Sequence, residues 1–101
     1  MKKRLFYKNT VRNIVKILKV LKRAEKEGEL LTISKIAKMT GLHKWTVSRT
    51  IDLHMSNFVD VLVPEHFEDI GMQLKVVKLK DPEINLKTIL RYLAYKKRLR
   101  L

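Results

Sequence analysis

The side chains that most often carry out chemistry in proteins are few in this sequence and are poorly spaced for it. There is no Cys, which excludes thiolate catalysis, disulfides and cysteine-based zinc sites. His43, His54 and His66 do not form a His-Glu-x-x-His pattern, and the adjacent Glu68 and Asp69 fall in a predicted loop without a pocket. The three Gly residues stand alone, so there is no glycine-rich phosphate loop. We therefore expect no enzymatic activity, no metal site, no cofactor and no small-molecule ligand.

Basic side chains are the chemical group that this sequence holds in excess. Lys and Arg number 23 against 10 Asp and Glu, which gives a formal net charge of +13. Residues 1–27 hold ten basic and two acidic groups, and residues 84–101 hold six basic groups and no acidic one. Residues 28–56 contribute only +2, and residues 57–83 contribute −3. Because so high a charge repels itself, the composition favours a polyanionic partner that is bound mainly by the two ends of the chain.

The length and the hydropathy pattern bound the class of protein. A chain of 101 residues with 46% hydrophobic residues is expected to fold as one domain spanning 1–101. There is no run of 18 apolar residues, and the basic start is followed by too few apolar residues for a secretory leader. We therefore expect no membrane association and a cytoplasmic, nucleoid-associated location.

Apolar residues at helical spacing predict a first helix from Thr10 to about Lys26, capped by Asn9 or Thr10 and ended at Gly28. Six cations of this segment fall within an arc of about 80° opposite the apolar residues. They form what we call the basic stripe: Lys8, Arg12, Lys16, Lys19, Arg23 and Lys26. The apolar arc is wider than one core face requires, which favours a second packing partner such as another copy of the chain.

Two short helices are predicted next, on either side of Gly41. The first spans about 32–40 and begins at a Thr32 or Ser34 cap, and the second runs from Lys44 to about Met55. In the second of these helices, apolar residues spaced four apart predict an inner face. These residues are Val47, Ile51 and Met55.

A β-hairpin and a last helix are predicted in the remainder of the chain. The segments 58–63 and 72–80 have the β-branched content of strands, and together they predict a hairpin over 58–80. The adjacent Val76 and Val77 indicate a bulge or a strand that is covered on both faces. Asp81-Pro82-Glu83 is typical of a helix start, so we expect a C-terminal helix over 82–98.

The segment 33–51 contains an Ile36-Ala37 pair, a Gly41-Leu42 turn, Thr46-Val47-Ser48-Arg49 and an inward Ile51. In these residues it resembles the helix-turn-helix core of winged helix-turn-helix DNA-binding proteins, similar to small regulators of archaea and their viruses and plasmids. About twenty residues match closely, and the hairpin and flanking helices agree only in their order. The resemblance implies an α+β, mostly α fold: a winged helix-turn-helix with an added C-terminal helix and a helix-turn-helix core at 32–55.

The functional expectation is sequence-specific binding of double-stranded DNA by a homodimeric transcriptional regulator, with helix 44–55 in the major groove. Base readout is assigned to the outward side chains Trp45, Thr46 and Arg49. Backbone contacts are assigned to Lys35, His43, Lys44, Ser48, Arg12, Lys16, Lys19, Lys75 and Lys78. The second apolar strips of the first and last helices predict a dimer interface of Ile17, Val20, Leu21, Tyr92, Tyr95 and Leu99.

The predicted hairpin tip departs from the family pattern, because it carries Glu65, Glu68 and Asp69 and no basic residue. An acidic tip either stays away from DNA, pairs with the basic stripe of a neighbouring subunit, or binds another protein.

Two alternative functions remain open for this sequence. One is an architectural, partition or replication protein with little sequence preference. The other is a protein-interaction adaptor or an RNA-binding module, for which a cluster of Tyr92, Tyr95 and Trp45 would be the signature.

Overall fold

The computed structural model describes the backbone of residues 2–63 and 75–99 and the side chains of residues 8–63 and 75–95. These residues form an α+β fold that is mostly helical, with one antiparallel sheet. In chain order the elements are α1 (Lys2–Glu27), β1 (Leu31–Thr32), α2 (Ile33–Thr40), α3 (Lys44–Thr50), a π-helical segment (Ile51–Met55), β2 (Val59–Leu62), β3 (Val76–Leu79) and α4 (Leu86–Leu99).

Helix α1 begins earlier than the sequence pattern predicts. We expected a start at Thr10 with Asn9 or Thr10 as the cap, but the helix begins at Lys2. Asn and Thr are only mildly unfavourable inside a helix, and neither Gly nor Pro interrupts residues 2–10. The predicted end is correct, because Gly28 lies in the left-handed region with a φ of 68°.

The boundaries of α2 are those the sequence predicts. The Thr32 side chain accepts a hydrogen bond from the Lys35 backbone N–H at 3.1 Å, so Thr32 and not Ser34 caps the helix. Gly41 ends the helix with a φ of 76°, and its N–H donates to the carbonyl of Ala37 at 2.9 Å. A left-handed residue at this position turns the chain towards α3.

Helix α3 continues into the π-helical segment, and together they bury one row of side chains. Val47, Ile51 and Met55 are all fully or almost fully buried, as their four-residue spacing predicts. Four residues overshoot one α-helical turn of 3.6 residues, so a strict α-helix would rotate Met55 away from the core. The wider π turn, with its longer hydrogen-bond spacing, keeps Met55 inward.

The sheet has the strand order β1-β3-β2, with β3 in the centre. Val77 of β3 pairs with Leu31 on one side and Val61 on the other. The pairing between β2 and β3 is continuous from Val59↔Leu79 to Leu62↔Val76, so the bulge suggested by the two adjacent valines is absent from these strands. The predicted acidic hairpin tip lies outside the described residues.

Helix α4 begins later than predicted. The Asp81-Pro82-Glu83 signal forms a turn, in which the Asp81 side chain accepts a hydrogen bond from the Glu83 N–H at 2.9 Å. Ile84 follows and is buried in the core, which requires the chain to turn inward before a helix can start. Asn85 then caps α4 by accepting from the Thr88 N–H at 2.9 Å.

One hydrophobic core joins these elements, and α1 contributes most to it. Helix α1 packs against α2, α3, the π-helical segment, β3 and α4. Its buried side chains are Ile14, Ile17, Leu18, Leu21 and Ala24. The turn and both short helices are therefore held in place from one side by a single long helix.

Candidate nucleic-acid interface

Helix α3 is held by its inner side chains in the core, and the predicted readout residues lie on its other sides. Val47 and Thr50 are buried on its inner side. Trp45 is 61% exposed, Arg49 is exposed, and Thr46 is half-buried between the two faces. A helix held rigidly by one face and open on the other meets the first requirement for entering a major groove.

The Arg49 guanidinium has no partner within the described part of the chain. It forms no ion pair with Asp52 three residues on, although that spacing permits one. It also makes no ring contact with Trp45 among these residues, where the aromatic pair is Phe58 with Tyr92. Its hydrogen-bond donors therefore remain available for an external acceptor.

Leu53 is an exposed residue that sequence reasoning missed. It is 48% exposed and continues the four-residue row of Trp45 and Arg49. The four-residue spacing from Arg49 could have identified Leu53 as an outward residue. Instead, the apolar residues of this helix were used only to predict the inner face of Val47, Ile51 and Met55. An exposed apolar side chain beside Arg49 is suited to contact with a thymine methyl group. Met39 of α2 is likewise 42% exposed.

The turn before α3 gathers several of the predicted backbone contacts. His43 caps α3, since its Nδ1 atom accepts from the Trp45 backbone N–H at 3.1 Å. This hydrogen bond requires an unprotonated Nδ1 and fixes the ring beside the start of the helix. Lys44 is exposed, Ser48 is half-buried, and an open depression lined by Lys38, His43 and Lys44 among others lies at the turn.

Lys35 is paired within the chain. Its Nζ atom lies 3.3 Å from Glu29 Oε2, and both side chains are about half exposed. Exposed ion pairs contribute little to stability, typically 0 to about 1 kcal/mol, so a phosphate can replace Glu29 as the partner at small cost.

The two predicted backbone contacts on the sheet, Lys75 and Lys78, have different surroundings. Lys78 is exposed and lies opposite Asp60 in the pairing of β2 with β3. Lys75 is half-buried just before β3, where its carbonyl accepts from the Ile33 N–H at 3.0 Å and ties the start of α2 to the sheet. Among the described residues, Asp60 therefore lies beside Lys78, and partial burial restricts Lys75.

All six residues of the basic stripe are exposed, as predicted. They occupy the face of α1 opposite the residues that pack into the core, such as Ile14, Ile17 and Leu21. Helix α1 meets α2 and α3 through that buried face. The predicted contacts Arg12, Lys16 and Lys19 therefore point away from the core in a different direction from Trp45 and Arg49.

The residues assigned to the dimer interface are divided by their burial. Ile17 and Leu21 are 0% and 3% exposed within one chain, so they are core residues and have no surface to give to a second copy. Val20 is half-buried against the core. The wide apolar arc of α1 is thus explained by packing against five elements of its own chain.

The two tyrosines of α4 have different environments. Tyr92 packs edge-on against Phe58 with ring centroids 5.3 Å apart, and its hydroxyl accepts a hydrogen bond from Asn57 Nδ2. Tyr95 is 62% exposed. The side chain of Leu99 lies outside the described residues. Trp45 makes no ring contact with either tyrosine among the described residues, so the aromatic cluster that would favour RNA is not formed there.

Other kinds of site find no support in the described residues. None of them form a group of three or more His, Asp or Glu suited to a metal ion. No described helix is long and apolar enough to cross a membrane. Comparison with protein-family models, curated proteins and solved structures finds no match for this chain.

Proposed function

We propose that this protein is a winged helix-turn-helix protein that binds double-stranded DNA and reads sequence in the major groove with α3 and the π-helical segment. The observation that carries the proposal is the rigid seating of α3. Its inner side chains are buried, and Trp45, Arg49 and Leu53 are exposed along its outer face. An arginine without a partner on such a face is suited to guanine O6 and N7. A role in regulating transcription would place the protein with the DNA of the cell.

Contacts to the backbone of the same duplex come from the residues around the turn. Lys44 and Ser48 lie beside the outer face of α3, and Lys35 lies on the preceding helix. His43 fixes the start of α3 through its cap. These groups orient the helix on phosphate without reading sequence, while Trp45, Thr46 and Arg49 supply readout.

The proposal is tested by comparing Arg49→Ala with Arg91→Ala, which removes an exposed arginine from α4. The preferred duplex is first selected from a random library at two salt concentrations. We expect Arg49→Ala to weaken binding to that duplex by about 1–3 kcal/mol and to flatten base preference at one position. Arg91→Ala is expected to leave base preference unchanged. Equal losses for both variants on selected and random DNA would refute readout by α3.

A homodimer is the assembly that fits this mode of binding. Two α3 helices related by a two-fold axis would reach major grooves about 34 Å apart, which predicts a pseudo-palindromic site. Of the residues predicted at the interface, Tyr95 of α4 keeps a largely exposed side chain. Sedimentation with and without the selected duplex measures the stoichiometry. A single chain on an asymmetric site would contradict this geometry.

Architectural DNA binding with little sequence preference is the second candidate function. It is favoured by the position of the cations, since the basic stripe lies on α1 and away from α3. Footprinting distinguishes the two functions. Protection that spreads cooperatively from any starting point supports the architectural role, and a fixed footprint over the selected site supports the regulator.

A further inference from the structure

The basic stripe is a charged surface that the proposed readout by α3 does not use. Its residues extend from Lys8 to Lys26 of one helix, a distance of about 27 Å at 1.5 Å per residue. Within the described part of the chain, Arg23 pairs with Glu27 at 3.6 Å, and the other five cations have no ion pair. Consecutive members are three or four residues apart, so each repels the next.

The stripe lies on the side of α1 that is turned away from α3. The residues of α1 that face the rest of the chain, such as Ile14 and Leu21, are buried, and α1 contacts α3 through that side. Lys16 and Lys19 are exposed on the opposite side of α1. A duplex that receives α3 in its groove therefore lies on one side of the domain, and the stripe faces away from it.

The chemistry of the stripe fits a regular line of anionic groups. Double-stranded DNA carries one charge per about 1.7 Å of its axis, so a segment as long as the stripe carries about 16 phosphates. A lipid surface fits less well, because a helix that binds a membrane inserts its apolar face, and that face of α1 is occupied by the core.

We propose that the basic stripe is a second, sequence-independent contact for duplex DNA, through which one molecule joins two separate DNA segments. This inference rests on the proposed function for the first segment, which α3 binds. The second segment is held through its phosphates alone, so its attachment depends on salt and not on sequence.

The test is a bridging assay with one duplex fixed to beads and a second, fluorescent duplex of random sequence in solution. The double variant Lys16→Gln/Lys19→Gln is compared with Lys87→Gln/Arg91→Gln, which removes two exposed cations that lie four residues apart on α4. Each lost phosphate contact lowers the slope of log affinity against log salt by about 0.9. When salt is raised from about 50 to about 200 mM, the affinity for the second duplex should therefore fall about tenfold less in the stripe variant than in the wild type.

The expected result is wild-type capture of the second duplex, at least tenfold weaker capture by the stripe variant at low salt, and little change in the α4 variant. Both variants should still bind the selected site in the fixed duplex. Absence of bridging by the wild type, or bridging that the stripe variant retains, would overturn the proposal. Loss of self-association in the stripe variant would overturn it too, by assigning the stripe to a second copy, and so would loss of binding to phosphatidylserine vesicles without loss of bridging.

The two proposals fail in different ways. If Arg49→Ala leaves base preference intact while the stripe variant loses all DNA binding, readout by α3 is refuted and the two-segment proposal falls with it, although the stripe remains a DNA contact. If Arg49→Ala acts as expected and bridging is absent, only the second contact is refuted.

Discussion

Replacement of Lys16 by Glu should make the protein more stable at low salt, although it weakens binding to polyanions. Lys16 lies in the middle of α1, four residues after Arg12 and three before Lys19. All three side chains are exposed and lie on one face. Like charges at these spacings destabilise a helix, and opposite charges stabilise it by similar amounts.

The size of the effect follows from these two neighbours. Each repulsion costs about 0.2–0.5 kcal/mol, and each new attraction contributes about the same. Lys16→Glu changes two pairs from repulsive to attractive, so the free energy of unfolding should rise by about 1 kcal/mol or somewhat more. Position 16 is far from both helix ends, so the helix dipole adds nothing. For a domain of this size the expected rise in melting temperature is about 4–8 °C.

Thermal and urea unfolding at low salt and at about 1 M salt measures the effect. Lys16→Gln removes the repulsions without adding attractions, so it should give about half of the gain. Lys38→Glu makes the same change in net charge in the last turn of α2, where an acidic group opposes the helix dipole and offsets its attraction to Lys35. It should leave stability nearly unchanged.

Three results would refute the reasoning. A gain that persists at about 1 M salt, where the screening length is about 3 Å, would not be electrostatic. A loss of stability at low salt would mean that Lys16 already has a favourable partner in the folded chain. An equal gain for Lys38→Glu would assign the effect to net charge and not to the stripe.

Three further predictions test the elements that hold α3. Gly41→Ala should lower the free energy of unfolding by about 1–2 kcal/mol, because Gly41 has a left-handed backbone conformation that L side chains disfavour. An added Cβ has no atom within 4 Å, so no clash increases this cost. Thr32→Ala should cost about 1 kcal/mol through loss of the α2 cap, and Thr32→Ser should restore most of it. Val47→Ala should cost up to about 2 kcal/mol, since a fully buried side chain is shortened. Urea unfolding measures all three, and effects below 0.5 kcal/mol would contradict the corresponding contact.

The sequence predicts the centre of the chain well because local signals agree there with packing. Thr32 and Gly41 mark both ends of α2, and the structure uses both. The row of Val47, Ile51 and Met55 predicts the inner face of the next helix, and by elimination it places Trp45 and Arg49 outside. Such agreement between cap, turn and periodicity is typical of a segment that has one stable conformation.

Elsewhere a strong local signal is overruled by tertiary packing. Asp81-Pro82-Glu83 has every feature of a helix start, but burial of Ile84 requires a turn first, and Asn85 takes over as the cap. Asn9 and Thr10 are common capping residues, but they lie inside α1. For α4 the sequence does contain the correct cap, Asn85, and its use depends on which side chains the core accepts.

The candidate interface could be predicted by residue type but not by direction. Periodicity places the six cations of the stripe on one face of α1, and the structure exposes all of them. Which way that face points relative to Arg49 depends on how α1 packs on α3, and no local pattern contains this information. The same limitation applies to Ile17 and Leu21, whose burial depends on the five elements that surround α1.

The repulsion along the stripe and its proposed affinity for DNA have the same origin. The folded helix aligns the six cations, so DNA that binds the stripe prefers the folded state and stabilises it. At a duplex concentration 100 times the dissociation constant, this linkage contributes about 2.7 kcal/mol, more than the gain expected from Lys16→Glu. Addition of random duplex at low salt should therefore reverse the order of melting temperatures, with the wild type above the variant. An unchanged order would show that the aligned charges do not contribute to DNA binding.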